Sequence, residues 1–279
     1  MPLLNEHQLR IGDRTVTLVE GRAGWGECSP LAGYPSDPER CRAAAVEAAC
    51  DGFPPAQRAS VLVNALVDGP FVVQEIRGFP AVKVKVRGIA DVALVAAVRD
   101  AVGRDVGVRV DANGAWDVGT AVSMITRLAR YDLEYVEQPV ATLDDLARVR
   151  RAVSVRIAAD ECIRTLDDAR RLRDLDAADV VVLKQQPLGG VRAALAIADA
   201  AGVPAVVSSM METSVGIAAG VALAAALPEL PHACGLATLG ALPGDVTRDP
   251  LVPVGGALPV RPVVPDPDLI ARYYQEASR

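Results

Sequence analysis

From about residue 60 onward, short apolar runs alternate with stretches in which apolar positions recur every three or four residues. The runs are rich in valine, as is typical of strands that are buried on both faces. The longer stretches have the spacing of amphipathic helices. We expect strands at Val61–Val67, Ala81–Val86, Gly107–Val110, Leu133–Val136, Val155–Ala159, Val180–Leu183 and Pro204–Ser208, and helices at Asp91–Val102, Val118–Arg130, Asp144–Arg151, Leu166–Leu175 and Val191–Ala201.

Strands that alternate with helices of this length predict consecutive βαβ units around a parallel sheet. Seven strands, with an eighth expected near Ala233–Leu236, fit a closed barrel better than an open sheet. No G-x-G-x-x-G or Walker-type loop follows any of the runs, which argues against a dinucleotide-binding sheet. The sequence therefore predicts an α/β fold of the TIM-barrel type.

The N-terminal part of the chain has a different pattern. Leu9–Glu20 predicts a pair of strands, and Gly21–Gly26 predicts a glycine-rich turn. Asp37–Cys50 predicts a helix, with Asp37 as its N-cap and Pro38 at its first position. These elements indicate a small α+β layer.

The C-terminal segment, residues 250–267, is rich in proline and valine, and a short helix is expected after it. We expect this tail to pack on the N-terminal layer, so that both form a lid. The predicted domains are residues 1–58 together with 250–279 for the lid, and residues 59–249 for the barrel.

The composition is that of a folded protein without a nucleic-acid or membrane partner. Of 279 residues, 51% are apolar and 23% are charged, and the net charge of −6 comes without a basic block. The longest apolar run, Val215–Leu227, is shorter than the roughly 18 residues of a spanning helix. No signal-like leader precedes the first strand, so we expect a cytoplasmic location. Five cysteines without a C-x-x-C pair argue against a disulfide framework or a zinc ribbon.

Lysine is almost absent from the chain. Of the 29 basic residues, only Lys83, Lys85 and Lys184 are lysine. A coding bias towards arginine explains the surface cations, and it leaves the three lysines to be explained. Arginine does not lose its proton near neutral pH whereas a lysine can, so these positions are candidates for moving a proton.

Charged residues end the successive apolar runs. From Lys85 through the acids Asp111, Glu137 and Asp160 to Lys184, successive residues lie 23 to 26 positions apart, about one βα unit each. Barrel enzymes build their sites where the carboxyl ends of the strands meet. Three carboxylates without a neighbouring histidine or cysteine suit Mg²⁺ or Mn²⁺ rather than zinc.

Each of these residues also has a simpler interpretation. A single acid after a strand often serves as the N-cap of the next helix. Lys83-Val84-Lys85 alone is typical of an edge strand with one solvated face. Caps explain three acids and all three lysines at consecutive strand ends poorly, so we favour a site. There a metal-bound carboxylate substrate would lose its α-proton to a lysine whose pKa is lowered by burial and positive neighbours.

Several segments resemble one known family. They are GWGECSP (24–30), AVKVKV (81–86), RVDANGAW (109–116), LEYVEQPV (133–140), IAADECI (157–163), VLKQQPLGG (182–190), and residues 214–231 and 233–236. In these segments the chain resembles the enolase superfamily, in its muconate-lactonizing-enzyme-like branch, and within it the actinobacterial o-succinylbenzoate synthase family. The resemblance implies a (β/α)7β modified TIM barrel with a small α+β capping domain. The N-terminus is short for such a domain, and we expect either that one strand is missing or that the start site is set too late.

The resemblance also implies roles for the charged residues. Asp111, Glu137 and Asp160 would bind Mg²⁺. Lys85 would be the base and Lys83 its electrostatic support, while Lys184 would stabilise an enediolate. The implied reaction is a syn dehydration of 2-succinyl-6-hydroxy-2,4-cyclohexadiene-1-carboxylate to o-succinylbenzoate in menaquinone synthesis.

Four further positions are expected to contact the substrate. Arg109 matches the arginine that the family places beside the base, and Ser208 and Ser209 match the end of the seventh strand, where the family binds the succinyl carboxylate. Gly235 is the fourth candidate. The serines have an equally plausible structural interpretation, in which they hydrogen-bond to the backbone at a strand end.

The chain departs from the family pattern at a few positions near the predicted site. Cys162 stands where serine is usual, and Gln185-Gln186 and Met210-Met211-Glu212 replace smaller residues. These changes leave three alternatives open: N-succinylamino acid racemisation or a related epimerisation, a muconate-type cycloisomerisation, and a noncatalytic ligand-binding barrel. A dipeptide epimerase is disfavoured, because residues 235–238 lack the acids that such enzymes use to hold an ammonium group.

Overall fold

The structure is a computed structural model that describes residues 4–277. Its N-terminal layer is an antiparallel sheet of three strands that packs against one helix. The elements are β1 (Asn5–Ile11), β2 (Arg14–Gly21), β3 (Gly24–Cys28) and α1 (Pro38–Asp51). Strand β2 lies in the middle and pairs with both neighbours.

The predicted strand pair and the predicted helix α1 are confirmed. A turn lies within the predicted stretch Gly21–Gly26, but it is shorter than expected, because it covers only residues 22–23 and β3 begins at Gly24. Gly26 has a packing role instead. A Cβ at this position would lie 2.0 Å from the carbonyl oxygen of Ala45 in α1, so glycine allows β3 to lie against the helix backbone.

A parallel sheet of seven strands forms the main body, and each strand pairs with the next one in the chain. Short and long helices connect the strands. Strand β4 (Ser60–Leu62) precedes the sheet and is not part of it. The elements of the main body are β5 (Asn64–Val67), α2 (Val73–Ile76), β6 (Ala81–Lys85), α3 (Asp91–Val102), β7 (Gly107–Asp111), α4 (Val118–Leu128), β8 (Leu133–Glu137), α5 (Leu143–Ala152), β9 (Ile157–Ala159), α6 (Leu166–Leu175), β10 (Val180–Leu183), α7 (Gln185–Leu188), α8 (Val191–Ala201), β11 (Ala205–Val207) and α9 (Ser214–Ala226).

The sheet runs from β5 to β11, and residues 234–235 link its two outer strands. The Asn64 N–H of β5 donates to Cys234 O at 2.9 Å, and the Gly235 N–H donates to Val207 O of β11 at 2.8 Å. The expected eighth strand at Ala233–Leu236 is therefore reduced to two bridging residues. Gly235 approaches β11 closely, since a Cβ there would lie 2.6 Å from the Ser208 hydroxyl. The barrel is thus a (β/α)7β modification of the TIM fold.

Helix α9 explains the longest apolar run. All thirteen of its residues are buried, because α9 contacts β3 of the N-terminal layer on one side and β4 and β11 on the other. A helix without a solvent-facing side needs no polar stripe. Over residues 4–277, no helix has both the length and the apolar character needed to cross a membrane.

The C-terminal tail contains β12 (Ala257–Pro259) and α10 (Pro267–Ala277). Strand β12 pairs with β4, and α10 lies against β1. Residues 1–3 and 278–279, the outer ends of the predicted lid, lie outside the described residues. The division into domains remains a prediction.

Candidate active site

The six charged residues singled out in the sequence lie at the carboxyl ends of five neighbouring strands. In the register of the sheet, Lys85 on β6 lies beside Asp111 on β7, and Asp111 lies beside Glu137 on β8. Asp160 follows β9 and Lys184 follows β10. The lysines therefore flank the carboxylates from both sides.

The simpler interpretations of these residues are wrong. Strand β6 lies between β5 and β7, so the Lys-Val-Lys sequence is not on an edge. The helices after β7, β8 and β9 are capped by the side chains of Asp117, Thr142 and Thr165. The strand-end acids are therefore free of a capping role at these helices.

Lys83 is buried between two of the carboxylates. Its Nζ lies 2.9 Å from Glu137 Oε1 and 3.2 Å from Asp111 Oδ2. Burial lowers the pKa of Lys83, but the two carboxylates outweigh it and the pKa is raised. The pKa of Lys83 is raised because its nearest neighbours are anions, which suits a supporting cation rather than a base.

Lys85 is the most open of the three lysines, with one fifth of its side chain exposed (20%). Its Nζ donates to Asp111 Oδ2 at 2.6 Å and to Asn113 Oδ1 at 2.8 Å. The Asn113 amide in turn donates to Glu161 Oε1 at 2.8 Å. A chain of hydrogen bonds thus fixes the ammonium group at the edge of the cavity.

Lys184 approaches the carboxylates from the opposite side. Its ammonium group is bonded to Asp160 Oδ2 and lies 4.1 Å from the centre of the Tyr34 ring. Burial lowers the pKa of Lys184, but Asp160 and Glu161 outweigh this effect and raise it. Lys184 is therefore held as a cation, as an electrostatic role requires.

The carboxylates differ in charge preference. Burial raises the pKa of Asp111, but the ammonium groups of Lys83 and Lys85 outweigh it and hold the pKa below its usual range. Burial and the neighbouring Asp111 carboxylate raise the pKa of Glu137 to about 8. Asp111 thus favours its charged form, whereas the charge of Glu137 is the less well compensated of the two.

Among the described side chains, residues 4–274, no three His, Cys, Asp or Glu are arranged to hold a metal ion as they stand. The carboxylates of Asp111, Glu137 and Asp160 are paired with lysine ammonium groups. These residues nevertheless fit a hard divalent cation, because all of their donor atoms are carboxylate oxygens. The raised pKa of Glu137, the central carboxylate, agrees with this, since a bound cation would compensate its charge. The buried Glu161 Oε2 has no hydrogen-bond partner, so this oxygen is a further acceptor beside Asp160.

The strand ends line a cavity of about 90 Å³. A larger apolar cleft of about 350 Å³ lies between the N-terminal layer, α9 and the tail, but it contains none of the six charged residues. The smaller cavity is therefore the candidate site. Its lining includes Leu31, Tyr34, Asn64, Leu66, Lys83, Lys85, Asp111, Asn113, Lys184, Ser208, Ser209, Met211, Gly235 and Thr238.

Arg109 is not among the residues that line this cavity. It is fully buried in the barrel and pairs with Glu134, which also contacts His232. Its guanidinium donates further to the Tyr135 hydroxyl at 2.9 Å and to Ala233 O at 2.7 Å. The alternation of side chains along β7 places Arg109 and Asp111 on one face, but Arg109 lies two residues deeper.

The other three predicted substrate contacts, Ser208, Ser209 and Gly235, do line the cavity. The Ser209 and Thr238 hydroxyls are 2.7 Å apart. The three positions are therefore within reach of a molecule bound in the cavity.

The departures from the family pattern occupy different places. Met211 lines the cavity, whereas Gln186 is fully buried behind it. Gln186 Oε1 accepts the Ser29 N–H at 2.7 Å, and Gln186 Nε2 lies 3.3 Å from Glu212 Oε1. Gln186 thus connects the N-terminal layer to the barrel. Cys162 Sγ lies 3.3 Å from Gln138 Oε1, as a serine hydroxyl would.

Sequence reasoning missed several residues of the site. Asn113 lies two positions after Asp111, and Glu161 directly follows Asp160, so the spacing of the acids could have identified both. Gln138 accepts the Asp160 N–H at 2.7 Å and follows Glu137 in the same way. Tyr34 is 126 positions from Asp160, and no local pattern connects the two.

Comparison with known proteins gives a consistent family. A sequence profile described as "Enolase C-terminal domain-like" matches residues 72–266. The chain is 61% identical to the o-succinylbenzoate synthase of Thermobifida fusca over 257 residues, which cover 88% of this chain and 81% of that protein. It is 46% identical to the o-succinylbenzoate synthase of Mycolicibacterium smegmatis, with coverage of 92% and 83%.

Among solved structures, the muconate lactonizing enzyme of Klebsiella pneumoniae matches with a TM-score of 0.84. The match covers 97% of this chain and 98% of that chain at 21% sequence identity. At this identity the similarity concerns the fold, including both the barrel and the N-terminal layer.

Proposed function

The chain belongs to the enolase C-terminal domain-like family and, within it, to the o-succinylbenzoate synthases, and from this premise we propose its reaction. The protein is a lyase that converts 2-succinyl-6-hydroxy-2,4-cyclohexadiene-1-carboxylate to o-succinylbenzoate and water in menaquinone biosynthesis. The observation that supports this most directly is the arrangement of the lysines. Lys85 and Lys184 come from opposite flanks of the carboxylate cluster and line one cavity.

We assign the base to Lys85. It is the most exposed of the three lysines, and its ammonium is held at the cavity edge by Asp111 and Asn113. In its neutral form, Lys85 takes the proton from the ring carbon that bears the carboxylate, and the C–H electrons move into the carboxylate to give an enediolate. Those electrons then form the new ring double bond as the C–O bond to the hydroxyl breaks. The proton on Lys85 passes to the leaving hydroxyl, which departs as water, so atoms and charges balance.

Two further lysines act through their charge. Lys184, which is buried and held as a cation by Asp160, stabilises the enediolate from the face opposite Lys85. Lys83 lies two positions before Lys85 on β6, deeper in the barrel. Its ammonium group lies between Glu137 and Asp111 and reduces the repulsion between these two carboxylates. We assign it an electrostatic supporting role.

A divalent metal is suggested by the family, and we propose Mg²⁺, with Mn²⁺ as a substitute. Asp111, Glu137 and Asp160 would hold it, exchanging part of their lysine contacts for the cation. The metal would supply positive charge for the substrate carboxylate as it becomes an enediolate. Carboxylate-only ligands match the preference of these two cations.

We propose that Ser208, Ser209 and Gly235 contact the succinyl arm, since they line the cavity at the end of β11 and at the bridging residues 234–235.

All five cysteines are free thiols, as is usual in a reducing compartment. We propose that the enzyme acts in the cytoplasm on this small-molecule carboxylate.

The test is the purified protein with Mg²⁺ and the cyclohexadiene carboxylate, followed by the loss of diene absorbance. We expect turnover that EDTA abolishes and that Lys85→Ala and Lys184→Ala each reduce by at least about 10³-fold. Arg104→Ala, which removes an exposed cation, is the control and should keep full activity. No turnover by the wild type would refute the assignment.

The same lysine arrangement allows proton exchange on both faces of a carbon, which favours N-succinylamino acid racemisation as a second activity. Deuterium uptake at the α-carbon of N-succinylamino acids in D₂O measures it directly. Exchange without dehydration would make racemisation the main function.

A further inference from the structure

One contact in the cavity comes from the N-terminal layer rather than from the barrel. The loop of residues 29–36, between β3 and α1, carries Tyr34 to the strand ends. The Tyr34 hydroxyl donates to Asp160 Oδ1 at 2.9 Å. The face of its ring lies 4.1 Å from the Lys184 ammonium. Tyr34 thus touches one carboxylate and one lysine of the candidate site.

The base of this loop is fixed to the barrel. The Ser29 N–H donates to Gln186 Oε1 at 2.7 Å, and the Ser29 hydroxyl donates to Glu27 Oε1 at 2.6 Å. Within the loop, the Tyr34 N–H donates to Leu31 O at 3.2 Å, and the Ser36 N–H donates to Tyr34 O at 2.7 Å. The position of the tyrosine is therefore determined by contacts on both sides.

The two contacts of Tyr34 have different chemical consequences. The hydroxyl fixes the orientation of the Asp160 carboxylate, because it occupies Oδ1 while Lys184 occupies Oδ2. The ring face attracts the Lys184 cation and limits where its flexible side chain can lie. Among the described residues that line the cavity, Tyr34 is the only aromatic one, so no neighbour there can replace this contact.

We propose that Tyr34 is a positioning residue for the reaction: its hydroxyl orients Asp160, and its ring holds the Lys184 ammonium towards the cavity. The assignment of these two partners rests on the proposed function. Through Tyr34, the N-terminal layer therefore contributes one polar contact and one ring contact to the site. Outer groups that orient metal ligands affect metal affinity strongly.

The test separates the hydroxyl from the ring. Tyr34→Phe removes only the hydroxyl, whereas Tyr34→Leu removes both, and Tyr131→Phe, at the opposite end of the barrel, is the matched control. Mn²⁺ affinity is measured by the loss of the free-ion EPR signal, which requires no substrate. The values of kcat and KM are measured with the cyclohexadiene carboxylate. Thermal unfolding of each variant shows whether it is folded.

We expect Tyr34→Phe to weaken Mn²⁺ binding by about 10-fold to 100-fold. Tyr34→Leu should show the same loss and a further decrease in kcat of about tenfold, with a smaller change in KM. Mn²⁺ affinity and kcat within twofold of the wild type in both variants would overturn the proposal. A rise in KM alone would also overturn it, because Tyr34 would then be only a wall of the substrate pocket.

Because Mn²⁺ affinity and turnover are measured separately, failure of this proposal can be distinguished from failure of the proposed function. If the wild type does not turn over the cyclohexadiene carboxylate, the synthase assignment fails while the Mn²⁺ measurement still decides whether Tyr34 orients Asp160. If Tyr34→Leu does not fold, Tyr34→Phe alone decides the role of the hydroxyl.

Discussion

Glu212, at the junction of the N-terminal layer and the barrel, provides a quantitative test of the structure. It is buried (3% exposed) in the loop between β11 and α9, where its Oε2 accepts the Met210 N–H at 2.7 Å. Burial, and then the neighbouring Glu27 carboxylate, raise the pKa of Glu212 from 4.5 to about 7. A difference of this size corresponds to about 3 kcal/mol.

The sign of the effect on stability follows from proton uptake. Between pH 4.5 and about 7, Glu212 is ionised in the unfolded chain and protonated in the folded protein. Folding therefore takes up a proton, and the free energy of unfolding falls as the pH rises through this window. Above about pH 7, Glu212 is ionised in the folded protein as well, and the full free-energy cost of the buried carboxylate lowers the stability.

Glu212→Gln keeps the shape and removes the charge, so its stability lacks this pH dependence. We expect the free energy of unfolding of the variant, relative to the wild type, to increase by about 2 kcal/mol between pH 5 and pH 8. Urea unfolding followed by circular dichroism at several pH values measures it. Glu229→Gln, which makes the same change at an exposed position, is the control and should show no trend.

A difference between Glu212→Gln and the wild type that does not vary from pH 5 to pH 8 would refute this reasoning. A variant that becomes less stable than the wild type at pH 8 would also refute it. Either result would mean that the carboxylate is better solvated or better bonded than its burial indicates.

Two further predictions concern packing and buried charge. Gly26→Ala should lower the free energy of unfolding by at least about 3 kcal/mol, because its Cβ would meet backbone atoms of α1. Gly88→Ala, with no atom within 4 Å, should be neutral, and equal melting temperatures for the two variants would contradict the close approach. Arg109→Met should destabilise the protein by about 3–5 kcal/mol in urea unfolding, because it removes the buried guanidinium that binds Glu134, the Tyr135 hydroxyl and Ala233 O. Wild-type stability in this variant would mean that Arg109 is not a structural cation of the barrel.

The sequence predicted most of the fold, since periodicity reports burial directly. The helices Asp91–Val102, Leu166–Leu175 and Val191–Ala201 have the predicted bounds. The turn within residues 21–26 is shorter than the sequence predicts, because the sequence shows that a residue lacks a Cβ and does not show whether a turn or a neighbouring helix requires it. The closing segment near Cys234 was found, but its two-residue pairing depends on the distance between the outer strands.

The charged residues of the candidate site were also predictable, because a parallel barrel collects its strand ends at one face. Once Lys85, Asp111 and Lys184 were placed at the ends of their strands, their neighbourhood followed from the topology. The sign of the lysine pKa was not predictable in the same way. It depends on the distances between ammonium groups and carboxylates, and in the structure anions are the nearest neighbours of Lys83.

What the sequence by itself determined about this protein was therefore the barrel and the set of acids and lysines at its strand ends, because both follow from local patterns repeated along the chain. Only the tertiary structure decided that Arg109 lies in the barrel interior, and that Tyr34 and Glu212 meet residues of distant segments. These contacts join segments that are far apart in the chain, and their geometry is set by how the N-terminal layer packs on the barrel. No local pattern of residues encodes that packing, because it depends on the shape of both surfaces at once.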